Sequence, residues 1–308
     1  MTVKIFDKVL YTIELIQQYF TKLCILRIII PLLTQVVFFL SSAGIGNSGG
    51  DITVELSRHA SRVFLSTRRG AWVLSRIAKG GEPFDQQANR RFASLIPIAV
   101  RMYIFNKTVN NRFDHEVFAL RPQHPISGQH PMVNDDLPHR IISGSVVIKP
   151  NVTSFTKTGV VFEDGTQVND LDVVIFCTGY KIGFTFIDHS ILPVSDNKVE
   201  LYKHMFPPNL AKPTLAVLGC IQPLGAIFPI SELQARWAAR VFCAKTSLPP
   251  KSIMIEDIEK KRKAIQERYY ASKRHTIQVR PQVLYMKQYR YETNSTSSLI
   301  ATDADAAT

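Results

Sequence analysis

The sequence has 308 residues, 45% of them hydrophobic and 20% charged. That balance excludes a disordered, collagen-like or disulfide-dense chain and predicts one large domain or two of ordinary size. Lys and Arg number 37 against 25 Asp and Glu, a formal net charge of +12, which raises nucleic acid or an anionic membrane surface as partners without bearing on fold. The four cysteines (Cys24, Cys177, Cys220, Cys243) show no C-x-x-C spacing. They fit neither a usual zinc pattern nor a disulfide framework and read as reduced thiols facing a cytosol.

In chain order, the first feature is the apolar run LCILRIIIPLLTQVVFFL, Leu23 to Leu40. Preceded by Lys4, Lys8 and Lys22 and followed by Ser41 and Ala43, it has the look of a signal peptide or signal anchor. Arg27, Pro31, Thr34 and Gln35 interrupt it, and the alternative is a buried parallel strand at Val36–Leu40 with a helix before it. The strand is the preferred reading, because a glycine loop follows at once and needs a strand in front of it.

That loop, Gly44-Ile45-Gly46-Asn47-Ser48-Gly49-Gly50-Asp51, matches G-x-G-x-x-G. Ile52, Leu56 and Ala60 then recur at helical spacing, and Val63-Phe64-Leu65-Ser66 reads as a second strand. Strand, glycine turn, helix and strand make the unit that binds a dinucleotide pyrophosphate on the N–H groups of a helix start. An NAD site places Asp or Glu about 20 residues on. Here Thr67-Arg68-Arg69 stands there instead, and a guanidinium fork suits a 2′-phosphate, so NADP is expected over NAD.

Further on, Ile141 and Ile142, Val146 to Ile148 and Val160 to Phe162 read as strands, and Glu163-Asp164-Gly165-Thr166 as a hairpin turn. Asp172 to Phe176 is an apolar strand running into Cys177-Thr178-Gly179-Tyr180, a ligand-facing turn. Thr214 to Gly219 reads as another buried strand, followed by a loop at Gln222 to Gly225 and an amphipathic helix capped by Ser231. Residues 256–274 form a charged helix whose charges read as a solvated face, and no nucleic-acid-binding module accompanies it. His115, His124, His130 and His139 read as surface or hydrogen-bonded loop residues. No metal-ligand or hydrolase constellation stands out. Asn106, Asn151 and Asn294 head glycosylation triplets, which matter only in a lumenal segment. The tail from Glu292 has low complexity and reads as disordered.

GIGNSGGDITVELS, VFLSTRRGAWV, NDDLPHRIISG, FEDGTQVNDLDVVIFCTGY and TLAVLGCIQPLGAIFPISELQARWA, in this order between Gly44 and Gln278, resemble the flavin-containing monooxygenases. The resemblance implies an α/β, two-dinucleotide-binding, Rossmann-like flavoprotein that uses NADPH, FAD and O2 to oxygenate soft nitrogen or sulfur nucleophiles. It also implies the endoplasmic reticulum membrane, with the site facing the cytosol. On it, Gly44, Gly46, Ser48, Gly49, Gly50 and Asp51 hold NADP, and Asn47, the candidate catalytic residue, approaches nicotinamide and flavin. Thr67 and Arg68 meet the 2′-phosphate, while Thr178, Gly179 and Gln222 lie near the flavin or the domain junction. Cys177 stands where the family usually has Ala. The family's first glycine loop, for FAD, its F-x-G-x-x-x-H fingerprint and its apolar C-terminal anchor have no counterpart here, so the N-terminal FAD-binding half is expected to be missing. The expected organisation is a hydrophobic segment outside the family at 1–35, an NADP-binding Rossmann domain at 36–140, the remainder of an FAD-binding domain at 141–278 and a divergent tail at 279–308. The alternatives are a catalytically inactive NADP-binding fragment that binds or interferes, and an NADP-linked reductase.

Overall fold

The computed structural model describes residues 2–5, 11–12, 35–40, 45–78, 80–88, 96–223, 225–269 and 276–279. The chain divides into two units, residues 1–84 with 96–180 and residues 85–95 with 181–308. The division thus falls near residue 180, and strands from both sides of residue 140 share one sheet. In the first unit, strands β1 (Thr2–Ile5), β2 (Tyr11–Thr12), β3 (Gln35–Leu40), β4 (Arg62–Thr67), β7 (Val146–Lys149) and β11 (Val173–Phe176) form that six-stranded sheet. Their order is β2-β1-β11-β3-β4-β7. Strands β11, β3, β4 and β7 are parallel, while β1 is antiparallel to β11 and β2 to β1. The part of the apolar run at 35–40 is therefore an inner strand of a sheet; the helix expected before it lies outside the described residues. Among the described residues no helix is long and apolar enough to cross a membrane.

Alternation along the parallel strands builds two cores, because successive side chains leave opposite faces. On one face Val63, Leu65, Val173 and Ile175 pack with Ile52, Val54 and Leu56 of helix α1 (Asn47–Leu56) and with Leu137 of α4 (Leu137–Ile142). On the other, Phe64 and Val174 meet Val160 and Phe162, in an antiparallel meander of β8 (Val152–Phe155), β9 (Val160–Phe162) and β10 (Gln167–Val168). The β9–β10 hairpin turns where the sequence reads a turn, with Gly165 at φ +76° and Asp164 Oδ1 accepting from Thr166 N at 2.9 Å. A short parallel pair, β5 (Val73–Leu74) and β6 (Met132–Val133), completes the unit with helix α3 (Ile98–Asn110). Phe84, at the start of α2 (Phe84–Ala88), meets Phe105 of α3 with the rings tilted and their centroids 5.6 Å apart.

The second unit holds α5 (Phe228–Phe242), α6 (Lys251–Arg268) and a hairpin of β12 (Val194–Ser195) and β13 (Lys198–Val199), and Trp237 of α5, 1% exposed, packs in a core with Met205, Phe206, Ile221 and Met254 of α6. The Trp237 ring meets Phe206 edge-on at 5.1 Å. Asp257 of α6 receives Lys203 Nζ at 2.8 Å and Lys261 Nζ at 2.7 Å, tying the 202–206 turn to the helix.

Four local expectations are corrected. Ile141 and Ile142 lie in α4, not in a strand: Asn134 Oδ1 accepts the N–H groups of Asp136 and Leu137 at the helix start, Pro138 occupies its first turn, and Ile142 is left 72% exposed. Thr214 to Gly219 forms no strand; Val217 N–H reaches Met205 O at 2.8 Å, no strand pairs with the segment among the described residues, and Leu218 is 46% exposed. Ser231 lies inside α5 and donates from Oγ to Ile227 O at 3.2 Å, because Pro229 starts the helix earlier. The charged helix likewise starts earlier than read, at Lys251 behind Pro250, and ends at Arg268. The tail from 280 and most of 1–34 lie outside the described residues.

Candidate functional site

Parallel pairing puts three chain exits on one edge. Leu40 at the end of β3 faces Thr67 at the end of β4, and Phe39 faces Phe176 at the end of β11. The chain leaves β3 into the glycine loop, β4 into Arg68 and Arg69, and β11 into Cys177-Thr178-Gly179. From β3 the sheet grows toward β4 and β7 on one side and toward β11 on the other. That reversal is the switch point where open α/β sheets bind ligands at their carboxyl edge.

Gly44 lies outside the described residues. Gly46 precedes α1 in extended conformation, with no side-chain cap and no acid in the first turn. Gly50 N–H makes the first helical bond, to Gly46 O at 3.1 Å. The N–H groups of Asn47, Ser48 and Gly49 therefore have no acceptor within the helix, and with the dipole they suit an anion. A Cβ on Gly46 would meet nothing within 4 Å, so the mouth is open, whereas one on Gly50 would overlap Met132 Sδ. Gly50 thus lets α1 approach β6.

At the end of β4, Thr67 Oγ1 accepts from Gly70 N at 3.0 Å and shapes the turn that carries the arginines. Arg68 is half-buried, and its Nε is buried with no hydrogen-bond partner among the described residues. A buried guanidinium nitrogen lacking an acceptor, beside a strand end with no carboxylate, suits a phosphate. The residues present thus fit the phosphates of NADP. Gly179 has φ +101° and is exposed two residues behind half-buried Cys177.

Two expected site residues are hydrogen-bonded within the chain. Asp51 Oδ1 accepts from Asn134 Nδ2 at 3.2 Å and lies 3.8 Å from Arg76 Nη2. It braces α1 against the chain beyond β6. Gln222 belongs to the second unit, where its Oε1 accepts from Gln278 Nε2 at 2.8 Å and its N–H donates to Ile277 O. Sequence reasoning missed the support for the loop. Asn134, 4% exposed, joins α1 to α4. Asp135 accepts from Ser75 Oγ, Arg76 N and Arg76 Nη1 and pairs with Arg112. The NDD run was visible but signals no role by itself.

His115 is 0% exposed and stacks on Phe113 at 4.4 Å. Its Nε2 accepts from Val73 N at 3.0 Å, which leaves Nδ1–H to donate to Asn110 Oδ1 at 3.1 Å. Burial pushes its pKa down from 6.5 to about 4. The unfolded chain takes up this proton below about pH 6.5 and the folded chain only near 4, so the contribution present at neutral pH is lost as pH falls between them. The loss is on the order of 2 kcal/mol. Thermal melts from pH 7 to 4.5 are expected to show a shallower acid slope for His115→Leu than for the parent; parallel slopes would contradict the assignment.

The chain matches the family model described as FMO-like, flavin-binding monooxygenase-like, over residues 38–304. It is 54% identical over 239 residues to flavin-containing monooxygenase 5 of Rattus norvegicus, covering 76% of this chain and 45% of that protein. It is 50% identical over 219 residues to dimethylaniline monooxygenase [N-oxide-forming] 2 of the same species, covering 70% and 41%. The chain thus spans about half the length of the curated relatives it matches. Among solved structures, S-allyl-L-cysteine S-oxygenase from Allium sativum aligns at 25% identity and TM-score 0.53, covering 88% of this chain and 47% of that one. A steroid monooxygenase bound to NADP aligns at 12% identity and TM-score 0.52, covering 85% and 66%, a likeness of fold alone.

Proposed function

Because the chain belongs to the flavin-binding monooxygenase-like family, we propose that it is a flavin-dependent monooxygenase that uses NADPH, FAD and O2 to oxygenate a soft nitrogen or sulfur nucleophile. The observation that carries the NADP half is the pairing of an uncapped glycine helix with a partnerless buried Arg68 Nε at the next strand end. In this reading the N–H groups of Asn47, Ser48 and Gly49 cradle the pyrophosphate, with Gly46 leaving the approach open. Thr67 and Arg68 meet the 2′-phosphate, and Asn47 extends toward the nicotinamide. When bound, NADPH supplies hydride and FAD supplies the oxygen-activating chemistry. The single G-x-G-x-x-G of the sequence is taken by NADP in this reading, so the first unit's candidates toward FAD are Thr178 and Gly179.

The same reading extends to the endoplasmic reticulum membrane with the site facing the cytosol. It is supported by the family match. Membrane fractionation of the expressed chain tests it; recovery entirely in the soluble fraction would contradict it.

The function is tested by purifying the 308-residue chain, recording its visible spectrum and following NADPH consumption with a tertiary amine or thioether. A yellow protein that consumes NADPH and yields the oxide is the expected result. A colourless protein that binds NADPH without turnover would establish instead a non-catalytic NADP-binding module.

A further inference from the structure

Strand β6 and the residue after it touch the glycine-loop helix at three consecutive positions. Met132 fills the notch left by Gly50, Val133 N–H donates to Asn47 Oδ1 at 2.8 Å, and Asn134 Nδ2 donates to Asp51 Oδ1 at 3.2 Å. Asn47, Gly50 and Asp51 are spaced i, i+3 and i+4, so they share one face of α1. The N–H groups on either side of Val133 are committed to β5: Met132 N–H to Trp72 O and Asn134 N–H to Leu74 O, both at 2.9 Å. Successive residues of a strand alternate in direction, so the Val133 N–H points away from β5, and its acceptor is Asn47.

A side-chain amide accepts through oxygen and donates through nitrogen. A backbone donor holds Asn47 Oδ1, which sets which end of the amide remains. Asn47 is exposed at the open end of α1, and its Nδ2 has no hydrogen-bond partner among the described residues. We propose that Val133 is a positioning residue that sets the polarity of Asn47, presenting Nδ2 to the ligand. The ligand group meeting Asn47 is then a hydrogen-bond acceptor, as the carboxamide carbonyl at the nicotinamide end of NADP is. The inference rests on the NADP reading above.

The test titrates the full chain with NADP+ and with 2′-phospho-ADP-ribose, which carries the same phosphates but no nicotinamide. Val133→Pro deletes the N–H facing Asn47 and leaves both ladder bonds to β5. Asn47→Leu keeps the size of the side chain and removes the donor without adding charge. Asn47→Leu is expected to lose about tenfold in NADP+ affinity, the worth of one hydrogen bond, and Val133→Pro several-fold. Affinity for 2′-phospho-ADP-ribose is expected to stay within about twofold in both, a contrast that a merely structural role would not produce. The double variant should lose no more than Asn47→Leu alone, since both act on one contact. Equal losses for the two ligands, or NADP+ affinity unchanged in Asn47→Leu, would overturn the proposal while the NADP reading stands. A parent chain that binds neither ligand would overturn both.

Discussion

Gly70→Val is expected to destabilise the first unit by about 3–5 kcal/mol. Two independent costs meet there. Gly70 has φ +67°, a left-handed conformation that a β-branched residue adopts only under strain. A Cβ would also run into Leu120 O and into Arg121 O, and these are backbone atoms that cannot swing aside as a side chain would. Ala71 N–H bonds to that same Leu120 O at 2.8 Å, so retreat of the carbonyl would break a second contact. Gly144 separates the two costs: it has φ +74° but nothing within 4 Å of a Cβ. Gly144→Val should therefore show the conformational cost alone, about 1–3 kcal/mol. Urea unfolding of both variants measures the difference, and a Gly70→Val chain as stable as Gly144→Val would remove the steric part. The consequence reaches function, because the turn closed by Gly70 N–H on Thr67 Oγ1 carries Arg68.

Arg68→Ala is expected to weaken NADPH binding by about 10–100-fold, the worth of hydrogen bonds to a charged group, and to leave NADH binding within about twofold. The two ligands differ only in the 2′-phosphate, so the contrast isolates the guanidinium from the pyrophosphate cradle. Arg68 is already half-buried, with its Nε lacking an acceptor among the described residues. The unliganded chain thus carries an unmet donor that a phosphate would satisfy, so binding recovers interaction energy that folding leaves unclaimed. Arg68→Lys keeps the charge and loses the planar fork, so it should recover only part of the affinity. Titration by fluorescence or calorimetry decides, and equal losses for NADPH and NADH would sink the 2′-phosphate assignment.

Much of the first unit was legible in the residue pattern. The β3-α1-β4 run was readable because each element is marked locally: an apolar strand, glycines that permit the turn, apolar residues at helical spacing, and a second strand ending in Arg68. The β9–β10 hairpin and β11 carried the same kind of signal. Elsewhere local pattern misled. Ile141 and Ile142 are adjacent apolar residues in a β-like string, yet the helix there is started by Asn134 and Pro138, and only one isoleucine is needed against the core. Thr214 to Gly219 has the composition of a buried strand, but a strand also needs a neighbour, and pairing is not a local property. Pro229 and Pro250, in turn, start α5 and α6 ahead of the polar residues that had marked their beginnings.

Of the candidate site, the sequence by itself determined the glycine motif, the arginine in place of a carboxylate, and the family. All of these depend on residue type and short spacing, which folding does not alter. Only the tertiary structure decided what each side chain faces. Asp51 sits in the glycine motif and reads as a cofactor residue, yet it is bonded to Asn134, 83 residues away. Asn47 owes its orientation to Val133, 86 residues away. Gln222, grouped with the flavin by motif order, has its side-chain oxygen bonded to Gln278 in the second unit. A hydrogen-bond partner is set by which strands pair and in which register, and the β5–β6 pairing that turns the Val133 N–H toward α1 is written in no short stretch of residues.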